Sequence, residues 1–158
     1  MSMISPTVLE LLSSPSPESL EAMLDDESAV FWVDWRQEDD TIPEACERVL
    51  NTGALSGELV EIDADPDFEV YIAYKRERIK VPLVVGLEDR HITLHTLNKA
   101  LSPDYEIRFC ADSSGSDTLA FIPLATQDWK RLESQYGSEV EKRFRPIQAK
   151  PNLFTDQW

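Results

Sequence analysis

The chain has 158 residues, of which 42% are hydrophobic and 28% charged, and its formal net charge is −15. This composition is typical of one folded domain, and no apolar run approaches the roughly 20 residues that cross a bilayer. The excess of acid argues against nucleic acids and anionic membrane surfaces as ligands, because their phosphates carry charge of the same sign.

The acidity is concentrated in the first part of the chain. Residues 1–70 contain 18 Asp and Glu against 2 Lys and Arg, a net charge of −16, whereas residues 71–158 contain 12 against 13, a net charge of +1. Such a field accelerates encounter with a basic partner, although an acidic surface also serves solubility alone. A secretory signal requires a basic residue before its apolar stretch, and no basic residue precedes the first apolar stretch here. We therefore expect a cytoplasmic protein.

The first 53 residues predict three helices and one strand. Residues 7–14 and 17–26 predict two short helices, and Ser16 is the expected N-cap of the second. A third helix follows within residues 41–52, with Thr41 and Glu44 spaced as a capping box. Gly53 is its expected C-terminal cap.

Residues 29–35, AVFWVDW, predict a strand because they are aromatic and β-branched. Side chains alternate between the two faces of a strand. Phe31, Val33 and Trp35 are therefore expected on one face, and Trp32 and Asp34 on the other.

Residues 57–85 predict a three-stranded meander over 57–63, 68–75 and 78–85. Pro82 removes a backbone donor, so the third strand is expected at a sheet edge or bulged. The later elements are a helix over 92–101, strands over 105–110 and 118–124, and helices over 127–136 and 138–145. The helix over 127–136 is expected to be capped by Thr126 and ended by Gly137. The helix over 138–145 is expected to begin with Ser138 and Glu141 as a capping box.

The predicted elements come in local runs without a sustained βαβ alternation. We therefore predict an α+β fold with a largely antiparallel sheet of about five to six strands and flanking helices. Residues 1–146 form a single domain in this prediction. Residues 147–158 form a C-terminal tail that docks through Phe154 and Trp158.

Three stretches are candidates for enzymatic or metal sites. His91 and His95 are four residues apart on a predicted helix, but the residue after the first is Ile92 where a zincin has Glu. The acidic run 61–69, EIDADPDFE, has Phe68 where a calcium hand requires Gly. The loop 110–118, CADSSGSDT, contains nucleophile-capable side chains but no GxSxG elbow. We expect no metal, no cofactor and no catalytic residues, and two reduced, packed cysteines, Cys46 and Cys110.

The stretch 31–40, FWVDWRQEDD, combines aromatic and acidic side chains. The aromatic residues are candidates for the core, but an accessible Trp beside acids is also the composition of a binding surface. The candidate partner-binding residues are Trp32 or Trp35 as anchor, Asp34, Glu38, Asp39 and Asp40 as a first acidic patch, and Asp63, Asp65 and Asp67 as a second.

Size, charge and the stretches FWVDWRQEDD and EIDADPDFE resemble those of the immunity proteins that bacteria keep against toxins. The resemblance implies a non-enzymatic protein that binds a basic cognate toxin domain and blocks it. It identifies no family site residue. Two alternatives stay open: a metal-dependent or Cys/Ser hydrolase, and an adaptor within a larger complex.

Overall fold

The computed structural model describes residues 4–150 and 152–154. In these residues, seven antiparallel strands form two sheets, and five helices flank the sheets. The helices are α1 (Pro6–Ser13), α2 (Pro17–Leu24), α3 (Ile42–Leu50), α4 (Asp89–Leu101) and α5 (Thr126–Arg143). The strands are β1 (Phe31–Asp34), β2 (Leu55–Glu61), β3 (Phe68–Tyr74), β4 (Glu77–Lys80), β5 (Tyr105–Cys110), β6 (Thr118–Ala125) and β7 (Phe144–Pro146).

The predicted α+β class and antiparallel pairing are confirmed, but the predicted sheet size was wrong. The strands divide into a four-stranded sheet of order β1-β6-β5-β7 and a three-stranded sheet of order β2-β3-β4. Alternation along a strand specifies which face is buried and not which strand lies beside it, so the pattern cannot reveal the division. No described helix is long and apolar enough to cross a membrane.

One face of the four-stranded sheet packs against the three-stranded sheet, α3 and α4. Phe121 on β6 lies at the centre of this first core, with ring centroids 5.7 Å from those of Phe31 and Phe109 and 6.4 Å from that of Phe154. The three-stranded sheet contributes Val70 and the fully buried Ile72. The two sheets are therefore joined by a continuous apolar layer.

The opposite face of the four-stranded sheet is covered by α1, α2 and α5. Trp129 on α5 is buried there, and its indole Nε1 donates to the Glu106 carbonyl oxygen at 2.8 Å. The buried aliphatic side chains Leu11, Met23 and Ile122 belong to the same second core. The four-stranded sheet is thus covered on both faces, and side chains reach the surface at its two edge strands, β1 and β7.

Neither predicted cap of α3 acts as expected. Residues 39–41 form a 3-10 turn, so Thr41 already has a helical backbone, and its hydroxyl donates to the Glu38 carbonyl oxygen at 2.6 Å instead of capping the helix. The helix ends at Asn51, whose φ of 54° is left-handed, two residues before Gly53. Asparagine tolerates this conformation, so the chain turns earlier than the glycine predicts.

The C-terminal third agrees with the prediction in part. The break predicted at Gly137 between two helices is present one residue earlier, as a kink at Tyr136 (φ −134°, ψ 37°) that divides α5 into two helical segments. Residues 144–146, predicted as the end of a helix, form β7 and pair with β5. Ile147 is buried and Phe154 packs against the first core; Trp158 lies outside the described residues.

Candidate functional site

β1 lies at the edge of the four-stranded sheet and carries the two tryptophans of the acid-aromatic stretch to the surface. Trp32 pairs with Ala120 and is 39% exposed, while the buried Phe31 and Val33 face the first core, as the alternation predicts. The strand ends at Asp34, so Trp35 does not join their face and is 38% exposed. Of the three aromatic residues, only Phe31 belongs to the core.

The first acidic patch begins with Asp34, which is partly neutralised. Its Oδ1 accepts from the backbone N–H of Arg36 at 2.8 Å and from the Arg36 Nε at 3.2 Å, and its Oδ2 accepts from the Thr118 hydroxyl at 3.0 Å. The hydrogen bond from the Arg36 side chain lowers the pKa of this carboxyl. Asp34 therefore shapes the turn after β1, whereas Glu38 is exposed at the next position of the patch.

Asp39 is placed inside the protein and not on its surface. The residue is 7% exposed, its Oδ1 accepts from the Thr93 hydroxyl at 2.7 Å, and Arg90 Nε lies 2.8 Å from the same oxygen. Burial raises the pKa of the Asp39 carboxyl, while Thr93 and Arg90 oppose that rise. The sequence predicted Asp39 as part of an accessible acidic run, and its buried position does not match that prediction. A run of acidic residues in a loop does not reveal which carboxylate points into the protein.

Arg90 fixes residues 35–40, which we call the acid-aromatic loop, to α4. One terminal nitrogen, Nη1, donates to the carbonyl oxygens of Trp35 at 3.3 Å and of Gln37 at 2.6 Å. Together with the ion pair to Asp39, these bonds hold the main chain from residue 35 to residue 39. The exposed side chains of Trp35 and Glu38 are thus presented from a fixed backbone, which lowers the entropy that a partner must remove on binding.

Asp40 lies half-buried between this loop and β2. Its Oδ1 is buried and has no hydrogen-bond partner among residues 4–150 and 152–154. Gly57 on β2 approaches so closely that a Cβ atom there would lie 2.1 Å from the Asp40 carbonyl oxygen. The contact sets the position of the first acidic patch against the three-stranded sheet.

Asp63, Asp65 and Asp67 lie in the turn between β2 and β3 and are all exposed. None of the three forms an ion pair with any residue that the structure describes. Six residues of extended chain separate Asp63 from Gly57, a distance of about 20 Å. A typical interface of about 800 Å² per partner is roughly 30 Å across, which exceeds this distance along β2.

The two histidines of α4 do not form a paired site. Nε2 of the buried His91 lies 2.6 Å from the Gln148 carbonyl oxygen, and its Nδ1 accepts from the Leu153 N–H at 3.4 Å. His91 therefore fastens the C-terminal segment to α4. No group of three His, Cys, Asp or Glu side chains in the described part of the chain is arranged to hold a metal ion.

At the end of β5 and in the loop after it, Cys110 and Ser113 have structural roles. Cys110 is fully buried and burial raises the pKa of its thiol, which disfavours the nucleophilic thiolate. The Ser113 hydroxyl donates to the Cys110 carbonyl oxygen at 2.7 Å and accepts from the Ala120 N–H at 2.9 Å. Cys110 and Ser113 thus have structural positions.

A cleft of about 790 Å³ opens elsewhere on the surface, and none of the candidate residues lines it. Three of its polar groups bind one another: Asp104 Oδ2 accepts from the Tyr74 hydroxyl at 2.8 Å and from Lys75 Nζ at 2.6 Å. Burial raises the pKa of the Tyr74 hydroxyl, and the neighbouring Asp104 adds to the rise. These contacts keep the three groups occupied in the folded protein.

The structure adds four features that sequence reasoning missed: Asp89 and Arg90 at the start of α4, the close contact of Gly57, and the exposed apolar loop at residues 84–87. A signal existed only for the last, since VVGL sits beside Pro82 where a strand must end. Gly57 and Arg90 depend on contacts between residues that are 17 to 55 positions apart, which no local pattern contains, whereas Asp89 binds the backbone of the loop three to five positions before it.

No protein-family model, curated protein or solved structure matches this chain.

Proposed function

We propose that this protein is a non-enzymatic binding protein whose acidic face engages a basic partner protein. The observation that carries the proposal is that Trp32 and Trp35 are both more than a third exposed, and that Trp35 lies in the same loop as the exposed carboxylate of Glu38. Aromatic anchors supply much of the affinity of protein interfaces, and charged rims steer the partner toward them.

The charge pattern supports a basic partner. Many carboxylates elsewhere are already paired inside the protein, for example Glu58 with Arg78 and Glu69 with Lys80. Glu38 and the three aspartates of the β2–β3 turn have no such partner among the described residues. Their field is therefore not cancelled locally and is directed at whatever approaches this side of the molecule.

The partner that we propose is a toxin domain, met in the cytoplasm and blocked by binding. The support for this finer statement is the resemblance in size, charge and acid-aromatic stretches to immunity proteins. A toxin that acts on a polyanionic substrate carries a basic surface, and rows of carboxylates compete for that surface with the same sign of charge.

The test is charge reversal with a matched control. The partner is identified by capture from the source cell at low salt or as the product of the adjacent gene. The double variant Glu38→Lys/Asp63→Lys is compared with Glu21→Lys/Glu141→Lys, which changes the net charge equally at exposed positions on α2 and α5. We expect the association rate constant to fall about tenfold or more for the first pair and by less than about threefold for the second.

Co-expression measures the toxin part separately. Growth of cells that produce the partner is expected to be rescued by the wild-type protein and by the control pair, and less well by the reversed site pair. Equal association rates for both double variants would contradict the acidic face. A partner that is harmless when produced alone would contradict the toxin.

A further inference from the structure

Three large aliphatic side chains lie exposed within four residues of the loop between β4 and α4. Val84 is 56% exposed, Val85 is 59% exposed and Leu87 is 61% exposed. Single apolar side chains on a surface are ordinary, whereas a group of them in one place marks an interaction site. The loop that they form, residues 84–87, is called the apolar loop below.

The apolar loop is held in a defined shape from within. The buried carboxylate of Asp89 accepts from the Val84 N–H at 2.9 Å and from the Gly86 N–H at 3.4 Å. Val85 has a φ of 57°, a left-handed conformation that costs a β-branched residue free energy. The protein thus keeps the loop in an unfavourable backbone conformation while its apolar side chains face solvent.

The apolar loop adjoins the acid-aromatic loop. Asp89, which binds the apolar loop, is followed by Arg90, which binds the carbonyl oxygen of Trp35. Two consecutive residues at the start of α4 therefore hold the two loops side by side, and Arg90 Nη2 lies 3.7 Å from Asp89 Oδ2. Trp35 belongs to this side of the molecule, whereas Trp32 lies on the opposite face of β1.

The rim of the apolar loop is acidic. Glu88 follows the loop directly and is exposed, Glu38 is exposed on the neighbouring loop, and the charge of the nearby Arg36 is paired with Asp34. A second copy of the chain would bring the same carboxylates against one another, and an anionic membrane would repel them. The surface that complements this rim is apolar in its centre and basic around it.

We propose that the apolar loop and Trp35 together dock into an apolar surface framed by Lys or Arg on the partner protein. The inference rests on the proposed function and adds to it: the acids guide the partner, and the apolar loop holds it. It also selects Trp35 over Trp32 as the aromatic anchor.

A defined probe tests the inference without the natural partner. An amphipathic synthetic peptide of Leu and Lys presents an apolar face framed by positive charge, and a peptide with every Leu replaced by Ser keeps the charge alone. We expect the wild-type protein to bind the Leu/Lys peptide at least tenfold more tightly than the Ser/Lys peptide at low salt. The double variant Val84→Ser/Leu87→Ser is expected to lose this preference.

Two further variants separate docking from stability. Trp35→Ala is expected to reduce the preference for the Leu/Lys peptide, and Trp32→Ala, which removes an equally exposed ring, is expected to keep it. Val85→Asn places a residue that tolerates the left-handed conformation, so we expect an unchanged or higher melting temperature together with weaker binding. A loss of binding with preserved stability excludes unfolding as its cause.

Several results would overturn the inference, each in its own way. Equal affinity of the wild-type protein for both peptides would remove the apolar docking and leave the acidic face intact. Binding of neither peptide would count against both the acidic face and the docking. Self-association by sedimentation, or binding to neutral phosphatidylcholine vesicles, that disappears in Val84→Ser/Leu87→Ser would assign the loop to a second copy or to a lipid surface instead.

Discussion

Replacement of Asp39 by alanine is expected to lower the free energy of unfolding by about 3 to 5 kcal/mol, because it leaves the half-buried Arg90 guanidinium without its carboxylate. Arg90 Nε lies 2.8 Å from Asp39 Oδ1, and after the change Arg90 keeps the carbonyl oxygens of Trp35 and Gln37 and the more distant carboxylate of Asp89, at 3.7 Å. Thr93 also loses its acceptor. Urea denaturation of the two proteins under identical conditions measures the difference.

The matched control is Asp39→Asn, which retains an acceptor for the Thr93 hydroxyl and removes the charge. Burial raises the pKa of the Asp39 carboxyl, so the ionised form is the disfavoured form in the folded protein. The contribution of this group to stability is therefore fully present below its unfolded pKa of about 4 and is lost as pH rises through the higher folded pKa. We expect Asp39→Asn to cost less than Asp39→Ala at pH 7, and to gain on the wild type as pH rises from the unfolded pKa of about 4 through the raised folded pKa. A loss as large as that of alanine would contradict this origin of the pKa shift.

Gly57→Ala is expected to destabilise the protein by about 2 to 3 kcal/mol. A Cβ atom at this position would lie 2.1 Å from the Asp40 carbonyl oxygen and 3.2 Å from a side-chain carbon of Pro43. Both neighbours belong to the turn that leads into α3, and a backbone oxygen cannot move aside as a flexible side chain does. Either β2 or that turn must shift.

The comparison for this change is Gly137→Ala on α5, where nothing lies within 4 Å of the added carbon. Alanine favours helix over glycine by up to about 1 kcal/mol, so we expect this variant to be neutral or more stable. Thermal unfolding of both variants measures the contrast. If Gly57→Ala were as stable as Gly137→Ala, β2 would not be in close contact with the acid-aromatic loop.

The sequence predicted best those elements whose burial follows a local period. β3 is the clearest case, since Val70, Ile72 and Tyr74 are buried on one face. The Ser16 cap of α2 was predicted correctly because a capping box is contained within four residues. Both signals are local, so a single sequence carries them in full.

The candidate site was harder to predict because its shape depends on distant contacts. The charge pattern located the acidic stretch but did not reveal that Asp39 turns inward toward Thr93, which is 54 positions away. Neither periodicity nor composition identifies Arg90 as the residue that fixes that loop. The accessibility of Trp35 follows from the end of β1 at Asp34, one residue earlier than the aromatic pattern indicates.

In the proposed function, the unpaired acids and the fixed loops affect two different rate constants of binding. In the proposed complex, the exposed carboxylates act before contact and raise the association rate constant, whereas the aromatic and aliphatic side chains act after contact and lower the dissociation rate constant. The buried ion pair of Asp39 with Arg90 contributes directly to neither rate constant. Its role in this scheme is to keep Trp35 and Glu38 where the partner meets them.

The most direct measurement of the acidic face is the association rate constant with the partner as a function of ionic strength. Charges on a surface act over about 10 Å in 0.1 M salt and about 3 Å in 1 M salt. We predict that the association rate constant of the wild-type protein falls steeply over this range while the dissociation rate constant changes little. An association rate constant that is independent of salt would contradict the central proposal that the acidic face recruits a basic partner.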